Sequence, residues 1–260
     1  MAATAAAGTL AGCSVFPSEA GPDDGAAPEV TVLPNHALHF DGVGDYATCG
    51  TAGFPSAANP QTLSLWVRYG APAGDGDSGA QVFLALRRDQ TTGVELGIRG
   101  GTLAAWTVYG TRTLAAAPSL PPAGVWHHVA FVLDAGDAGA VASLYVDGVL
   151  SASGAAEPNA LTPIACWIGS PDGTADLFAG DMDEIRVWNV ARTAAEVAEE
   201  MQGGAPPPQR GLVAAFDGDE IAGSRLPDRS GNDNDATLGG GDPTRMPTLV
   251  PSGLPSSVAP

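Results

Sequence analysis

The chain has 260 residues, 29 acidic and 11 basic, for a formal net charge of −18, and every basic residue is Arg. That balance excludes the cationic face which nucleic acid or an anionic membrane surface demands of a partner. Charged residues make up only 15% of a chain rich in Gly and Pro, so one loop-rich β domain with tails is the expectation.

Residues 1–30 read as a leader and tether. A short apolar run ends in Leu10-Ala11-Gly12-Cys13, which resembles a bacterial lipobox with Cys13 as the lipidated residue. Residues 14–28 are rich in Pro, Gly, Ala and Asp and carry too little apolar surface to fold. No later run of about 18 apolar residues reads as a membrane span. The expectation is an exported chain, lipid-anchored at the cell envelope and touching membrane only through that anchor.

Residues 31–204 read as a sandwich of short strands. HALHFDG and YATCG flank a Gly42–Asp45 turn, and QTLSLWVRY, AQVFLALRR, GVELGIRG and TLAAWTVYG follow at short intervals between Gly, Pro and Asp. In WHHVAFVLD, Val129, Phe131 and Leu133 share one face, the two-residue period of a half-buried strand. VASLYVD and VLSAS flank Asp147-Gly148, a dipeptide suited to the positive φ angles of a tight type I′ turn. In LFAGDMDEIRVWNV, strict alternation puts Asp183 on the face of Ile185 and Val187, with Glu184, Arg186 and Trp188 opposite. Thr193-Ala194-Ala195-Glu196 is a capping box opening a helix near 194–202, stopped by Gly203-Gly204. Residues 205–246 supply a Pro-rich linker and a strand, Gly211–Asp217, that packs on the sandwich, with a truncated second repeat as the alternative; residues 247–260 read as a tail.

Four stretches in order, His36–Gly50, Gln61–Tyr69, Trp126–Leu150 and Phe178–Val197, are similar to the laminin-G-like branch of the concanavalin A-like lectin/glucanase superfamily. The resemblance covers about residues 34–201. It implies an all-β, concanavalin A-like jelly-roll sandwich of two antiparallel sheets with one short helix. That fold carries lectins, adhesion modules and glycosidases, so it names no function by itself.

Laminarinase-type relatives place their carboxylates along one strand as Glu-x-Asp-x-(x)-Glu, flanking the scissile bond. The nearest approach here, Asp181-Met182-Asp183-Glu184, lacks the leading Glu, and no other catalytic motif is present. A non-catalytic recognition module for glycan or extracellular protein is therefore expected, with a divergent glycan hydrolase or lyase, or a purely structural envelope lipoprotein, as alternatives. The resemblance implies one calcium at the sandwich edge, held by Asp41, Asp45 and Asp183, because first and last strands of a jelly roll lie together. A second oxygen-rich cluster is Asp228, Asn232, Asp233 and Asp235. Trp126 and Trp188 are expected in the core, and Trp106, Tyr109 and Arg112 as exposed ligand contacts. Cys49 and Cys166 can pair in an oxidising compartment, but lone buried thiols are common, and the expectation is that they stay unpaired.

Overall fold

The computed structural model describes residues 30–32, 35–70, 79–89, 92–107, 112–136, 139–157, 162–203 and 209–254. Two antiparallel sheets pack on each other. The first runs β1 (Val30–Val32), β15 (Glu220–Ala222), β16 (Arg225–Leu226), β17 (Ala236–Leu238), β3 (Ala47–Cys49), β12 (Ala165–Ile168), β5 (Gln81–Arg87), β6 (Gly93–Arg99), β7 (Thr102–Thr107), β8 (Thr113–Ala116). The second runs β11 (Val149–Ala156), β10 (Gly139–Val146), β9 (His127–Gly136), β4 (Gln61–Tyr69), β13 (Ala179–Trp188), β2 (His36–Asp41), β18 (Thr248–Pro251), with β14 (Leu212–Phe216) also paired to β13. Among the described residues no helix is long and apolar enough to cross a membrane.

The two-residue period sets which side chains meet. Leu63 and Leu65 of β4 stand opposite Phe131 and Val129 of β9, and all four are buried in the central cluster. The intervening Ser64, Trp66 and Arg68 therefore point to the outer face of the second sheet. Asp147 (φ 50°) and Gly148 (φ 74°) both occupy the left-handed region between β10 and β11, as the type I′ turn requires. Helix α1 (Ala194–Met201) begins on the expected capping box, Thr193 and Glu196 exchanging side-chain-to-backbone bonds. It seats Val197 and Glu200 against the outer face.

β13 departs from strict alternation. Its register with β4 shifts between Asp183 and Arg186, and Glu184 takes φ 51°, a one-residue bulge. The bulge turns Asp183 to the outer face beside Arg186, opposite Trp66 and Ser64 respectively, while Ile185 and Val187 stay in the core. The alternation reading of this strand was therefore wrong by one residue at Glu184. On its other edge β13 pairs β2 along 179–182 and β14 along 185–188, so the bulge marks the handover between two neighbours.

Residues 209–254 are more integral than the sequence suggests. β14 is buried at all five positions. Its loop is closed by the Asp228 carboxylate, which accepts from the Ala215, Ser230 and Asn234 amides and from the Ser230 hydroxyl. Pro247 does not begin a tail: Thr248–Pro251 adds an edge strand to β2, and Leu249 packs on the core. Pro251 is tolerated at the end of an edge strand, where no further partner needs its missing N–H. Beyond it, Ser252 is buried, its hydroxyl bonded to Asp183 Oδ2 at 2.5 Å and its carbonyl accepting from Trp126 Nε1 at 2.8 Å.

Cys49 and Cys166 are bonded, contrary to the expectation of separate thiols. β3 and β12 pair so that the two residues stand directly opposite, with Cα atoms 5.1 Å apart, inside the range a disulfide bridges. Only the strand register could supply that proximity, since the residues are 117 apart in sequence. Closing so long a loop restricts the unfolded chain, so the Cys49→Ala/Cys166→Ala pair should lose about 2–5 kcal/mol of stability in denaturant titration. Equal unfolding midpoints for the pair and the oxidised parent would contradict the bond.

Burial under the Ser252 segment pushes the Asp183 carboxyl up to about 8 from its ordinary 3.8, outweighing the Ser252 hydrogen bond. Between those values the folded state holds a proton that the unfolded chain has released, so this contribution to stability falls as pH rises towards 8 and levels off above it. Burial acts in the same direction on Asp45, Glu95 and Asp219. Asp183→Asn should flatten the decline by at most about 1.4 kcal/mol per pH unit. Urea midpoints at pH 5 and pH 8 measure it; parallel curves for the parent and the variant would show that Asp183 does not titrate on unfolding.

Candidate functional site

An open groove of about 530 Å³ lies on the outer face of the second sheet, where β2, β13 and β4 run side by side. Its floor exists because Ala179, Gly180, Gly70 and Gly124 carry almost no side chain. Gly180 has no substitute: a Cβ there would sit 2.4 Å from the Arg68 carbonyl oxygen. Phe40 and Tyr69 border the groove with their rings in the core.

Across this floor the strand register builds a row of polar groups. His39 stands opposite Asp181, and Asp181 opposite Arg68. Asp181 Oδ1 lies 2.7 Å from His39 Nδ1, and Asp181 Oδ2 accepts from Arg68 Nε at 2.8 Å, so both carboxylate oxygens are engaged. The Arg68 and His39 side chains remain 33% and 43% exposed, against 11% for Asp181: the carboxylate is the buried anchor and the two bases are its accessible flanks. Arg68 also rests 4.9 Å from the centroid of the half-buried Trp126 ring, which the Ser252 carbonyl holds through Nε1. The guanidinium is fixed from two sides.

Further along the same face the chemistry is sealed. Glu200 descends from α1 to accept from Ser64 Oγ, with Arg186 Nη1 at 3.4 Å and His128 Nε2 at 3.9 Å. Burial alone would raise the Glu200 carboxyl, but His128, Arg186 and Ser64 outweigh it and hold it low. Arg186 Nη2 donates to Glu184. With the bulge, Asp181, Asp183 and Arg186 share one face at i, i+2 and i+5, the spacing of a bulged Glu-x-Asp-x-x-Glu strand. Here the last position is an arginine, Asp183 is capped by Ser252, and Asp181 is bound by two bases.

The expected calcium ligands are not brought together. Asp41 stands opposite Ala179, four residues along β13 from Asp183. Asp45 Oδ2 accepts from the Asp41 amide and Asp41 Oδ1 from the Val43 amide, so these carboxylates form the turn after β2. Among the described residues no group of three or more His, Cys, Asp or Glu is placed to hold a metal. Asp41, Asp45 and Asp183 therefore do not form one cation site. In the second cluster, Asp228 closes the β14 loop, Asn232 donates to the Leu212 carbonyl, and Asp235 takes the Arg225 guanidinium, while Asp233 carries a turn at φ 58°.

The expected ligand contacts also change. Trp106 is 2% exposed and donates to Glu95 Oε2 at 2.5 Å, while Glu95 Oε1 takes Arg87 Nε and Nη2. It is a buried tie across β5, β6 and β7, with the Glu95 carboxyl raised by burial against the pull of Arg87. Arg112 is exposed but paired with Glu157. Tyr109 and Cys13 lie outside the described residues. Trp188 is fully buried as expected, whereas Trp126 is only half buried and lies against the Arg68 guanidinium. Sequence reasoning missed His39, Asp181 and Arg68 as a set. The alternation in LSLWVRY and HALHF does place Arg68 and His39 off the core face, but nothing local says that they flank one carboxylate.

Among curated proteins none matches significantly. Among solved structures, a candidate carbohydrate-binding protein of Bacteroides ovatus aligns with TM-score 0.66 at 18% identity, over 86% of this chain and 62% of its own. The chain thus spans less than two thirds of that protein. Domain 4 of AbnA, an extracellular GH43 arabinanase of Geobacillus stearothermophilus in complex with arabinotriose, aligns with TM-score 0.50 at 21% identity, over 67% and 89%. A heptameric SAP-like pentraxin of Limulus polyphemus aligns with TM-score 0.50 at 15% identity, over 78% and 99%. At these identities the likeness is one of fold. The bulged β13, the Asp147 hairpin and most of both sheets fall within residues 41–198, which match the Laminin_G_3 family, and the chain belongs to that family of the concanavalin A-like lectin/glucanases superfamily.

Proposed function

We propose that this protein is a non-catalytic glycan-recognition module, and that the groove over β2, β13 and β4 is its binding site. The observation that carries the reading is the His39–Asp181–Arg68 row: hydrogen-bonding groups held in fixed positions on an open floor of glycine and alanine. Sugar hydroxyls both donate and accept, and a preorganised array of this kind binds them without first ordering its own side chains. Two neighbours of like fold, the Bacteroides protein and the arabinanase domain, carry names that concern carbohydrate, which supports the class of ligand. Hydrolysis is disfavoured because it needs one carboxyl to donate a proton and another to attack or activate water. Asp181 is held by two bases and Asp183 lies under Ser252.

Display on the cell envelope belongs to the same proposal. The Cys49–Cys166 disulfide suits an oxidising, exported setting. Leu10-Ala11-Gly12-Cys13 with the following Pro- and Gly-rich stretch suits a lipidated tether, long enough at about 3.3 Å per residue to hold the domain several nanometres from the bilayer.

On a glycan array the full chain should bind, and Arg68→Ala or Asp181→Asn should weaken that binding by about tenfold or more, the loss expected for one or two charge-assisted hydrogen bonds. Unchanged binding by both variants would move the site elsewhere. In the native host, Cys13→Ala should shift the protein from the membrane to the soluble fraction; unaltered fractionation would remove the anchor.

A further inference from the structure

We infer that the groove selects neutral, hydroxyl-rich glycans and rejects acidic ones, with Arg68 as the specificity-determining donor. The inference rests on the glycan-recognition reading and adds the ligand's charge class to it.

The first ground is the groove itself. The acidic and basic side chains that line it are His39, Asp41, Arg68 and Asp181. Arg68 is neutralised by Asp181, His39 is charged only if protonated, and Asp41 is exposed and adds a further negative charge. Asp45 lies behind it, bonded to the Asp41 amide. A uronate or sulfate entering here meets no unpaired cation: it must share Arg68 with Asp181 and sit close to the like charges of Asp181 and Asp41. A neutral sugar meets no such conflict, because hydroxyls donate to Asp41 and accept from the guanidinium. Asp181 uses only the Nε donor of Arg68, and a guanidinium has five donors in all.

The second ground is the rest of the molecule. Binding of an acidic polysaccharide is normally assembled from a strip of cations, since each contact releases counterions. This chain has no lysine, and most of its eleven arginines are engaged by groups of the protein itself. Six sit in ion pairs: Arg68 with Asp181, Arg87 with Glu95, Arg112 with Glu157, Arg186 with Glu184 and Glu200, Arg225 with Asp235, and Arg229 with Asp217 and Glu220. Three more lie over aromatic rings, Arg99 on Trp106, Arg192 on Trp188 and Arg245 on Tyr46. With a net charge of −18 the long-range field repels polyanions as well.

Affinity electrophoresis and calorimetry of the full chain test this, with laminarin and arabinan as neutral probes and polygalacturonate and heparin as acidic ones. A neutral probe should bind with an affinity that changes by less than about twofold between about 50 and 500 mM NaCl, because no counterion release contributes. Arg68→Ala should weaken it by about tenfold or more. Asp41→Asn, which keeps an oxygen for the Val43 amide, should raise the affinity for polygalacturonate relative to the neutral probe. A preference for an acidic probe that fades steeply with salt would overturn the charge-class inference while leaving glycan recognition standing. Failure of every probe to bind would overturn both.

Discussion

The organisation of this molecule depends on one strand. β13 is hydrogen-bonded to β4 along its length on one side and, on the other, to β2 and then β14. The bulge at Glu184 accomplishes the change. A non-glycine residue in the left-handed region costs about 1–2 kcal/mol. The compensation is local: Asp183 Oδ1 accepts from the Glu184 amide at 2.8 Å, and the Glu184 carboxylate takes an Arg186 guanidinium nitrogen. The result is an outer face on which Asp181, Asp183 and Arg186 stand in line, each with a different partner.

That line explains why one end of the face is open and the other closed. Asp181 meets side chains from strands only, and the glycines and alanines beside it leave room above the sheet. Asp183 meets the C-terminal segment, and Arg186 meets Glu200 from α1, so two non-sheet elements cover them. A buried pair such as Arg186–Glu200 contributes little net stability, because the loss of hydration offsets much of the attraction. It does fix where the helix sits, since an uncompensated charge at either position would be expensive. The groove is the stretch of outer face that α1 and residues 252–254 leave uncovered.

Electrostatics constrain the molecule on a larger scale. A lysine-free chain of net charge −18 has few cations, and the structure spends most of them as counter-ions for its own carboxylates or as caps on aromatic rings. Arginine suits both tasks, because its planar guanidinium bonds a carboxylate along one edge while its face stacks on a ring. Arg68 does both at once, between Asp181 and Trp126. Surface pairs such as Arg225–Asp235 are worth little individually. Their collective effect is to leave no broad basic surface for an anionic partner.

Much of the fold was legible in the sequence. Leu63, Leu65, Val129 and Phe131 announce their faces through period two, Asp147-Gly148 announces its turn, and Thr193 with Glu196 announces the helix start, because each signal is contained within a few neighbouring residues. The candidate site was not legible, because it is made of register. Whether His39 faces Asp181, or Cys49 faces Cys166, depends on which strands become neighbours and at what offset, and no local pattern carries that information. The same holds for the calcium ligands: the order of strands brought β2 and β13 together as expected, but the offset set Asp41 against Ala179 and left Asp183 to Ser252. Burial failed for a related reason at Trp106, whose fate turned on Glu95 and Arg87 from two other strands. The sequence alone determined the periodicity, the turns and the charge; tertiary pairing decided the disulfide, the bulge and the groove, because each is a meeting of residues that lie far apart along the chain.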